Sequence, residues 1–463
     1  MNNNATIAAI STPPGKGGVA VIRISGDRAI EIAEKIFLPR SKKTVSDVAE
    51  RTQIYGDILY CGEIIDDGML TVFKAPFSYT GENTAEISCH GGILITEKVL
   101  ESALCEGAQL AAPGEFTKRA FINGKLTLTE TEAISALLEA ESTEQIRLSS
   151  RKSRKLLSNK IDVIREGLCS VLSSMYARID YPDEDLGDFS DEEMLRRLKK
   201  ILFEMEDLKR TYKTGKAVNE GIKTVICGKP NVGKSSVYNL LIGRDAAIVT
   251  DIKGTTRDVL TEKIPLGKVM LSLSDTAGIR ASENADPIER IGIERSYNEI
   301  SQSELILAVF DRSAEIECED EKLLSDISKF NTAKIAILNK SDKHALLDKE
   351  RLAGRFDTVI EVSALAGAKD AYNSLLNAVS SLFTDEKIVI GNEAIISSAR
   401  QNAELTRAIS HLRLAIEALE MGISQDATSS DIERALGAIA ELDGISVTEE
   451  IITDIFSKFC VGK

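Results

Sequence analysis

The sequence contains no tryptophan, only 3 histidines among 463 residues, and aromatics at just 5%. So thin an aromatic complement excludes a broad stacking platform for single-stranded bases. The 7 cysteines (61, 89, 105, 169, 227, 318 and 460) are scattered, with no C-x-x-C pair. A zinc or iron–sulfur centre therefore has almost no ligands to draw on. An odd cysteine count without framework spacing fits a reducing compartment. No apolar run approaches the roughly 18 residues of a membrane-spanning helix. The stretch MNNNATIAAI lacks a basic segment followed by an apolar core, so secretion is not expected and the expected location is cytoplasmic. Positive charge is also in deficit: 57 Lys and Arg against 72 Asp and Glu give a net charge of −15. Such a chain is a poor non-specific nucleic-acid binder, because phosphate contacts need cations. Contact with nucleic acid would require a local basic patch or a partner that supplies one.

What is present is length and pattern. The chain is 43% hydrophobic and 28% charged, with room for about three domains. Residues 1–125 read as α+β: β-rich runs at Val19–Ile24, Gln53–Tyr60 and Met69–Lys74 alternate with helical patterns at Asp27–Phe37 and Ile93–Cys105. Residues 126–218 read as helical. Leu156, Ile161, Ile164, Leu168, Val171, Leu172 and Met175 recur at the spacing of one buried helix face, and Tyr181-Pro-Asp-Glu-Asp ends that helix. Residues 219–385 alternate β runs (Lys223–Cys227, Val269–Ser274, Glu304–Asp311, Lys334–Asn339, Thr358–Ser363) with helical stretches, the pattern of a mostly parallel sheet covered by helices. Residues 386–463 are helical again, through Ala394–Met421, Ser430–Leu442 and Val447–Phe459. The fold class is thus multidomain, α/β and α. Two helical pieces around one α/β unit predict that this unit is inserted into a split helical domain.

Gly228-Lys-Pro-Asn-Val-Gly-Lys-Ser235 fits G-x-x-x-x-G-K-[ST] between an apolar strand and a helical run. That context identifies a phosphate loop. Backbone N–H groups of Asn231, Val232, Gly233, Lys234, Ser235 and Ser236 would face phosphate oxygens at the positive end of a helix. Lys234 would reach the β/γ-phosphates, and the Ser235 hydroxyl would ligate Mg²⁺. Asp275-Thr276-Ala277-Gly278 follows the strand Met270-Leu-Ser-Leu; its carboxylate suits Mg²⁺ through water and its glycine N–H suits the γ-phosphate. Asn339-Lys340-Ser-Asp342 selects the base, because a carboxylate at Asp342 can accept from the adjacent N1–H and N2–H₂ of guanine, a donor pair that adenine lacks. Ser363-Ala364-Leu365 offers N–H groups to guanine O6. Together these ordered strand-end motifs predict GTP as the nucleotide.

Asp251-Ile252-Lys253-Gly254-Thr255-Thr256 lies where a switch loop belongs, with Thr256 as a second hydroxyl on Mg²⁺. The position after Gly278 is Ile279, where signalling GTPases carry a water-orienting Gln. Another group must orient the water, and Glu283, Glu289 and Glu294 are the candidates from spacing.

These residues carry a resemblance. Asn231, Gly254-Thr-Thr-Arg-Asp258, Asp275-Thr-Ala-Gly-Ile-Arg280 and Glu289-Arg-Ile-Gly-Ile-Glu-Arg295 are similar to the MnmE (TrmE) family of tRNA modification GTPases. So are Thr12-Pro-Pro-Gly-Lys-Gly-Gly-Val19, Val21-Ile-Arg-Ile-Ser-Gly26, Ser78-Tyr-Thr-Gly-Glu82, Cys89-His-Gly-Gly92, Pro113-Gly-Glu-Phe-Thr-Lys-Arg-Ala-Phe121 and the terminal Cys460-Val-Gly-Lys463, where Val461 replaces a more usual Ile. The resemblance implies an N-terminal folate-binding and dimerisation domain, a split helical domain and an inserted Ras-like P-loop GTPase domain. It implies a homodimer acting with a flavin (FAD) protein, MnmG, in a heterotetramer or larger complex. That complex would install an aminomethyl-type group at C5 of the wobble uridine of certain tRNAs. A folate, 5,10-methylene- or 5-formyl-tetrahydrofolate, would supply the one-carbon unit. Carried over by motif, Asn231, Thr250, Ile252 and Thr255 would coordinate K⁺, and Glu289 would orient the water. Arg23, Glu86, Lys125 and Lys463 would contact folate. Cys460 would be a nucleophile or acid/base group, against a structural reading of the same thiol.

Two other features have plain readings. His90 is expected to be a packing or turn residue, and the basic stretch Arg147–Lys160 a solvated helix face rather than a tRNA contact. The rival function is a ribosome-assembly or other switch GTPase, whose nucleotide motifs would look alike; the N-terminal motifs and the terminal Cys-Val-Gly-Lys discriminate against it.

Overall fold

The computed structural model describes residues 5–41, 44–46, 49–180, 190–243, 262–273 and 300–445, together with Ile452, Ile455, Phe456, Ser457, Phe459 and Gly462. The chain divides into two compact units, one of residues 1–138 and 439–463, the other of residues 139–438.

The first unit is built on a 7-stranded sheet in the order β3-β4-β5-β6-β2-β1-β7. Its strands are β1 (Ile7–Ile10), β2 (Val19–Ser25), β3 (Phe37–Pro39), β4 (Gln53–Tyr60), β5 (Glu63–Phe73), β6 (Thr84–His90) and β7 (Gln109–Leu110). Neighbours run antiparallel except β1 and β7. Period-2 alternation sends Ala20, Ile22 and Ile24 of β2 into a core under helices α1 (Ala29–Ile36) and α2 (Ile93–Cys105). Val21 and Arg23 fall on the opposite face, where Ile7, Ala9 and Ala111 pack with Phe116 of helix α3 (Glu115–Ile122). The predicted runs Gln53–Tyr60 and Ile93–Cys105 form with those bounds, whereas Met69–Lys74 is the end of the longer β5. Helix α4 (Leu128–Leu138) closes this part of the unit, its Thr129 hydroxyl donating to the Asp443 carboxylate at 2.9 Å in a buried contact. The C-terminal residues return to the sheet. Phe456 lies 6.2 Å from the Phe121 ring, and Ser11 Oγ donates to the Gly462 carbonyl at 3.1 Å. Gly462 has φ 99°, and a Cβ there would sit 2.2 Å from Ile10 O, so this approach requires glycine.

The second unit opens with helices α5 (Thr143–Leu148), α6 (Arg151–Asp180), α7 (Asp191–Arg210) and α8 (Tyr212–Asn219). The buried face of α6 is Leu157, Ile161, Ile164, Leu168, Val171, Leu172 and Met175. Leu156, predicted on that face, is only partly buried; Leu157 occupies it instead, since steps of four, three and four residues back from Leu168 through Ile164 and Ile161 arrive at 157. Each such buried aliphatic contributes about 1.5–3 kcal/mol relative to exposure.

After α8 comes a 6-stranded sheet in the order β13-β12-β11-β8-β10-β9. Its strands are β8 (Ile222–Cys227), β9 (Glu262–Leu266), β10 (Val269–Leu273), β11 (Leu305–Asp311), β12 (Ala333–Asn339) and β13 (Thr358–Glu361), with helices α9 (Lys234–Ile242), α10 (Cys318–Ser328) and α11 (Ala368–Phe383). All the predicted β runs of this region are parallel strands. The antiparallel edge strand β9 escaped the pattern because Pro265 interrupts it; proline is tolerated at an edge, where one side of the ladder is open. Both faces are covered: Leu305, Leu307 and Val309 of β11 enter one core, while Ile306, Ala308 and Phe310 enter the other. Helix α12 (Ala399–Glu420) follows, and then helix α13 (Gln425–Asp443), whose residues from 439 onward belong to the first unit. Helix α12 packs along α7, with ion pairs Arg413–Glu206 (2.5 Å) and Lys199–Glu420 (2.6 Å) at its margins. The segments on either side of the sheet are tied together, because Thr214 Oγ1 accepts from the Asp385 N–H at 3.0 Å and Thr211 Oγ1 from the Ile396 N–H at 3.1 Å.

Candidate functional site

In open α/β sheets, ligands bind beyond the carboxyl ends of the strands. Here Gly228, Asp311, Asn339 and Ser363 stand at or just past those ends. From Cys227 the chain turns through Gly228 (φ 150°) and Gly233 (φ 103°) into α9, which starts at Lys234. A Cβ on Gly228 would lie 2.4 Å from Val309 O, and one on Gly233 would lie 2.1 Å from Asn339 Nδ2. Asn231 between them is also left-handed, at φ 63°, a conformation that asparagine tolerates. Lys234 Nζ donates to the carbonyls of Gly228 (2.8 Å) and Lys229 (2.9 Å), which curls its side chain over the loop. Burial holds the pKa of this ammonium below its ordinary value, so a phosphate arriving there would relieve an unfavourable desolvation. Ser235 and Ser236 follow in the first turn of α9, whose positive end suits an anion.

The base loops are pinned to this loop from the other side. Asn339 is 3% exposed, and its side chain donates to Val232 O at 3.0 Å and accepts the Ala364 N–H at 3.1 Å. Lys340, at φ 63°, donates through Nζ to Asn231 O at 2.9 Å and to Asp311 Oδ2 at 2.6 Å. Ser363 Oγ donates to Asp342 Oδ1 at 2.6 Å. That hydroxyl, with the backbone N–H of Asp342, holds the Asp342 carboxyl below the usual aspartate range. Asp342 remains exposed and Leu365 is 85% exposed, so the edge that would meet a base is open. The structure thus brings together Asn231, Val232, Gly233, Asn339, Lys340, Asp342, Ser363 and Ala364. Thr250, Asp251, Ile252, Lys253, Gly254, Thr255, Thr256, Asp275, Thr276, Ala277, Gly278 and Glu289 lie outside the described residues.

Sequence reading missed two participants. Asp311 receives Lys340, and Lys229 ties the start of the phosphate loop to α10 through Asp320 (3.0 Å) and Glu317 (3.1 Å). A polar residue closing an otherwise apolar parallel strand was the available signal for Asp311.

On the second face of the N-terminal sheet, Arg23 and Glu86 sit opposite each other in the β2–β6 register, and Arg23 Nε donates to Glu86 Oε1 at 2.8 Å. The guanidinium lies 5.3 Å from the Tyr79 ring centroid and 5.6 Å from that of Phe116, within cation–π range. Beside them Glu82 accepts from Arg119 (3.1 Å) and from Ser25 Oγ (2.8 Å), and Arg119 also pairs with Glu115 (2.9 Å). Lys125 Nζ donates to the Pro76 carbonyl at 2.9 Å, so it is engaged with the loop before Ser78 rather than with Arg23 or Glu86. Cys460 and Lys463 lie outside the described residues, although Gly462 between them is placed against Ile10 and Ser11.

His90 closes β6 with its Nδ1 2.7 Å from Asp66 Oδ1, and that hydrogen bond raises its pKa. Asp66, Asp67 and His90 present ligand atoms within 4.8 Å of one another, but Asp66 also accepts the His90 N–H and Asp67 accepts the Tyr55 hydroxyl. These contacts make His90 a strand-end residue with a carboxylate partner. In the basic stretch, Arg147 pairs with Glu144, Lys152 with Asn392 and Lys160 with Glu204. No helix among the described residues is long and apolar enough to cross a membrane.

Residues 6–125 match the family "GTP-binding protein TrmE N-terminus", and residues 128–460 match the "MnmE helical domain". The chain is 39% identical to the tRNA modification GTPase MnmE of Thermotoga maritima, over 99% of this chain and 100% of that protein. It is 38% identical to that of Carboxydothermus hydrogenoformans, over 99% of each chain. Among solved structures, Era in complex with MgGDPNP and a fragment of 16S ribosomal RNA aligns at a TM-score of 0.26 and 20% identity, covering 41% of this chain and 65% of that one, a likeness too low to argue from. By the full-length identity and the two matched regions, the chain belongs to the MnmE family of tRNA modification GTPases.

Proposed function

We propose that the chain binds GTP in the crevice beyond β8, β11 and β12 and hydrolyses it in the course of tRNA modification, at C5 of the wobble uridine (position 34). The observation that carries this reading is the Asn339 side chain, which joins the phosphate loop at Val232 to the base-side loop at Ala364. A nucleotide laid across that junction would meet Lys234 with its phosphates and Asp342 with guanine.

Ser235 and Thr256 would hold Mg²⁺, with Asp275 acting through water. Asn231, Thr250, Ile252 and Thr255 would hold K⁺, which offsets charge developing on the transferred phosphoryl group. The Lys340 bond to the Asn231 carbonyl supports this by fixing the loop while leaving the Asn231 side chain available. Glu289 would orient the water.

A tetrahydrofolate, 5,10-methylene or 5-formyl, is the proposed second cofactor. Arg23 and Glu86 fit it as a paired cation and carboxylate beside the Tyr79 and Phe116 rings. The carboxylate suits the donor edge of a pterin, and Arg23, Lys125 and Lys463 suit its anionic tail. When bound, the folate supplies the one-carbon unit, and Cys460 would serve as nucleophile or acid/base group.

The working assembly would be a homodimer through the N-terminal domain, joined by an FAD-containing MnmG-type partner that presents the tRNA, in the cytoplasm. The GTPase domain, residues 219–385, would be inserted into a helical domain of residues 126–218 and 386–463. The packing of α7 on α12 and the Thr214–Asp385 hydrogen bond support that arrangement. The test is GTP turnover by the purified protein in matched KCl and NaCl, with scattering to follow association. Turnover in K⁺ alone with nucleotide-dependent closure supports the reading. Equal slow turnover in both salts removes the K⁺ role, and no turnover in either removes the GTPase reading.

A further inference from the structure

We propose that Asp311 is a positioning residue for guanine-nucleotide binding: its carboxylate fixes the Lys340 ammonium, and through it couples the base loop to the phosphate loop. The proposal rests on the guanine-nucleotide reading above. Asp311 is the last residue of β11, in register with Asn339 of β12. Its side chain is 14% exposed, and its two oxygens are divided between two tasks. Oδ1 accepts the Ser313 N–H at 2.9 Å and the Ser313 hydroxyl at 2.6 Å, which locks the carboxylate to its own strand end. Oδ2 is thereby aimed at Lys340 Nζ, 2.6 Å away. The same Nζ donates to Asn231 O at 2.9 Å.

The physical need is clear. Lysine carries a strongly hydrated charge on a flexible four-carbon stem. On the guanine reading, Lys340, between Asn339 and Asp342, would lay that stem along the base, and its far end must be held before the base arrives, or ordering it weakens binding. A single carbonyl, at Asn231, is a weak anchor for an ammonium, whereas a carboxylate gives a charge-assisted bond. Burial pushes the Asp311 carboxyl up, but Lys340 and the two Ser313 donors outweigh it and hold the carboxyl below its ordinary value, so it stays ionised across the working range.

The test is a fluorescence titration of the full chain with mant-GDP and mant-GTP. Asp311→Asn should weaken both by about tenfold, the scale of one lost charge-assisted hydrogen bond. Asp311→Glu, which keeps the charge, should recover part of that loss. Asp311→Asn added to Lys340→Met should weaken binding no further than Lys340→Met alone. A purely structural Asp311 would cost the same in both backgrounds, and that additivity would overturn the proposal, as would unchanged affinity in Asp311→Asn. Should Asp311→Asn fail to fold, Asp311→Glu is compared in the two backgrounds: a loss of affinity seen with Lys340 and absent in Lys340→Met supports the coupling, and an equal loss in both overturns it. Wild-type protein that binds no mant-GDP would instead overturn the nucleotide reading itself.

Discussion

Asn339 reaches from the end of β12 to the phosphate loop, its Nδ2 donating to the Val232 carbonyl at 3.0 Å in a buried bond between residues 107 apart in sequence. Its Oδ1 takes the Ala364 N–H, so one amide satisfies backbone groups from two different loops. Buried backbone groups are nearly always paired, and here the pairing also sets the distance between the phosphate and base ends of the crevice.

Asn339→Ala leaves both the Val232 carbonyl and the Ala364 N–H without this partner. An unsatisfied buried group costs about 1–3 kcal/mol. Urea unfolding should show a loss on the order of 2 kcal/mol, and mant-GDP affinity should fall at the same time. Unchanged affinity would show that the junction is dispensable for the ligand.

Ser363 tunes Asp342. Its hydroxyl holds the carboxyl below the ordinary aspartate value of 3.8. A depressed pKa means that what the ionised group contributes is present above 3.8 and is lost as pH falls through the lower folded value. Ser363→Ala should therefore move the Asp342 titration, followed by carbon NMR, upward toward 3.8, with nucleotide binding fading at higher pH than in the wild type. An unmoved titration would reassign the shift to the backbone N–H.

The Arg23–Glu86 pair makes a prediction about folate. Arg23→Ala with Glu86→Ala removes both charges and should abolish 5-formyl-tetrahydrofolate binding in a calorimetric titration that the wild type gives. The double variant should stay folded, since the two side chains are 18% and 27% exposed and removing both together leaves neither charge without its partner. Retained folate affinity would move the ligand elsewhere.

The thiols should separate by reactivity. Burial pushes Cys227 up to about 12, and burial with the nearby Asp66 carboxylate pushes Cys89 up to about 11, whereas Cys61, Cys105, Cys169 and Cys318 are exposed. Alkylation near neutral pH, mapped by mass spectrometry, should label the exposed group first, because the thiolate is the nucleophile. Early labelling of Cys227, next to Gly228, would mean that the phosphate loop opens.

The phosphate loop was legible from sequence because its constraints are local: two glycines, a lysine and a hydroxyl within one turn between a strand and a helix. The base loops were legible for the same reason, each following its own strand. Asp311 and the Lys229–Asp320 pair were not, since their partners lie 29 and 91 residues away and only register and helix placement bring them together. The Arg23–Glu86 pairing likewise depends on β2 lying beside β6 in one register, which no local pattern encodes. Leu156 and Leu157 lie about 100° apart on the helix, and only the packing of the whole face decides which of them is buried. Strand β9 was hidden by Pro265, whose tolerance depends on the strand being an edge.

If Asp342 reads the guanine edge, exchanging its hydrogen-bond polarity should exchange the preferred base. Asp342→Asn replaces an acceptor with a donor where guanine presents N2–H₂, and xanthine presents a carbonyl oxygen at that position. Competition of GTP and XTP against mant-labelled nucleotide should favour GTP in the wild type and XTP in Asp342→Asn, each by at least about tenfold. Equal preference for GTP in both proteins would mean that Asp342 does not read the base.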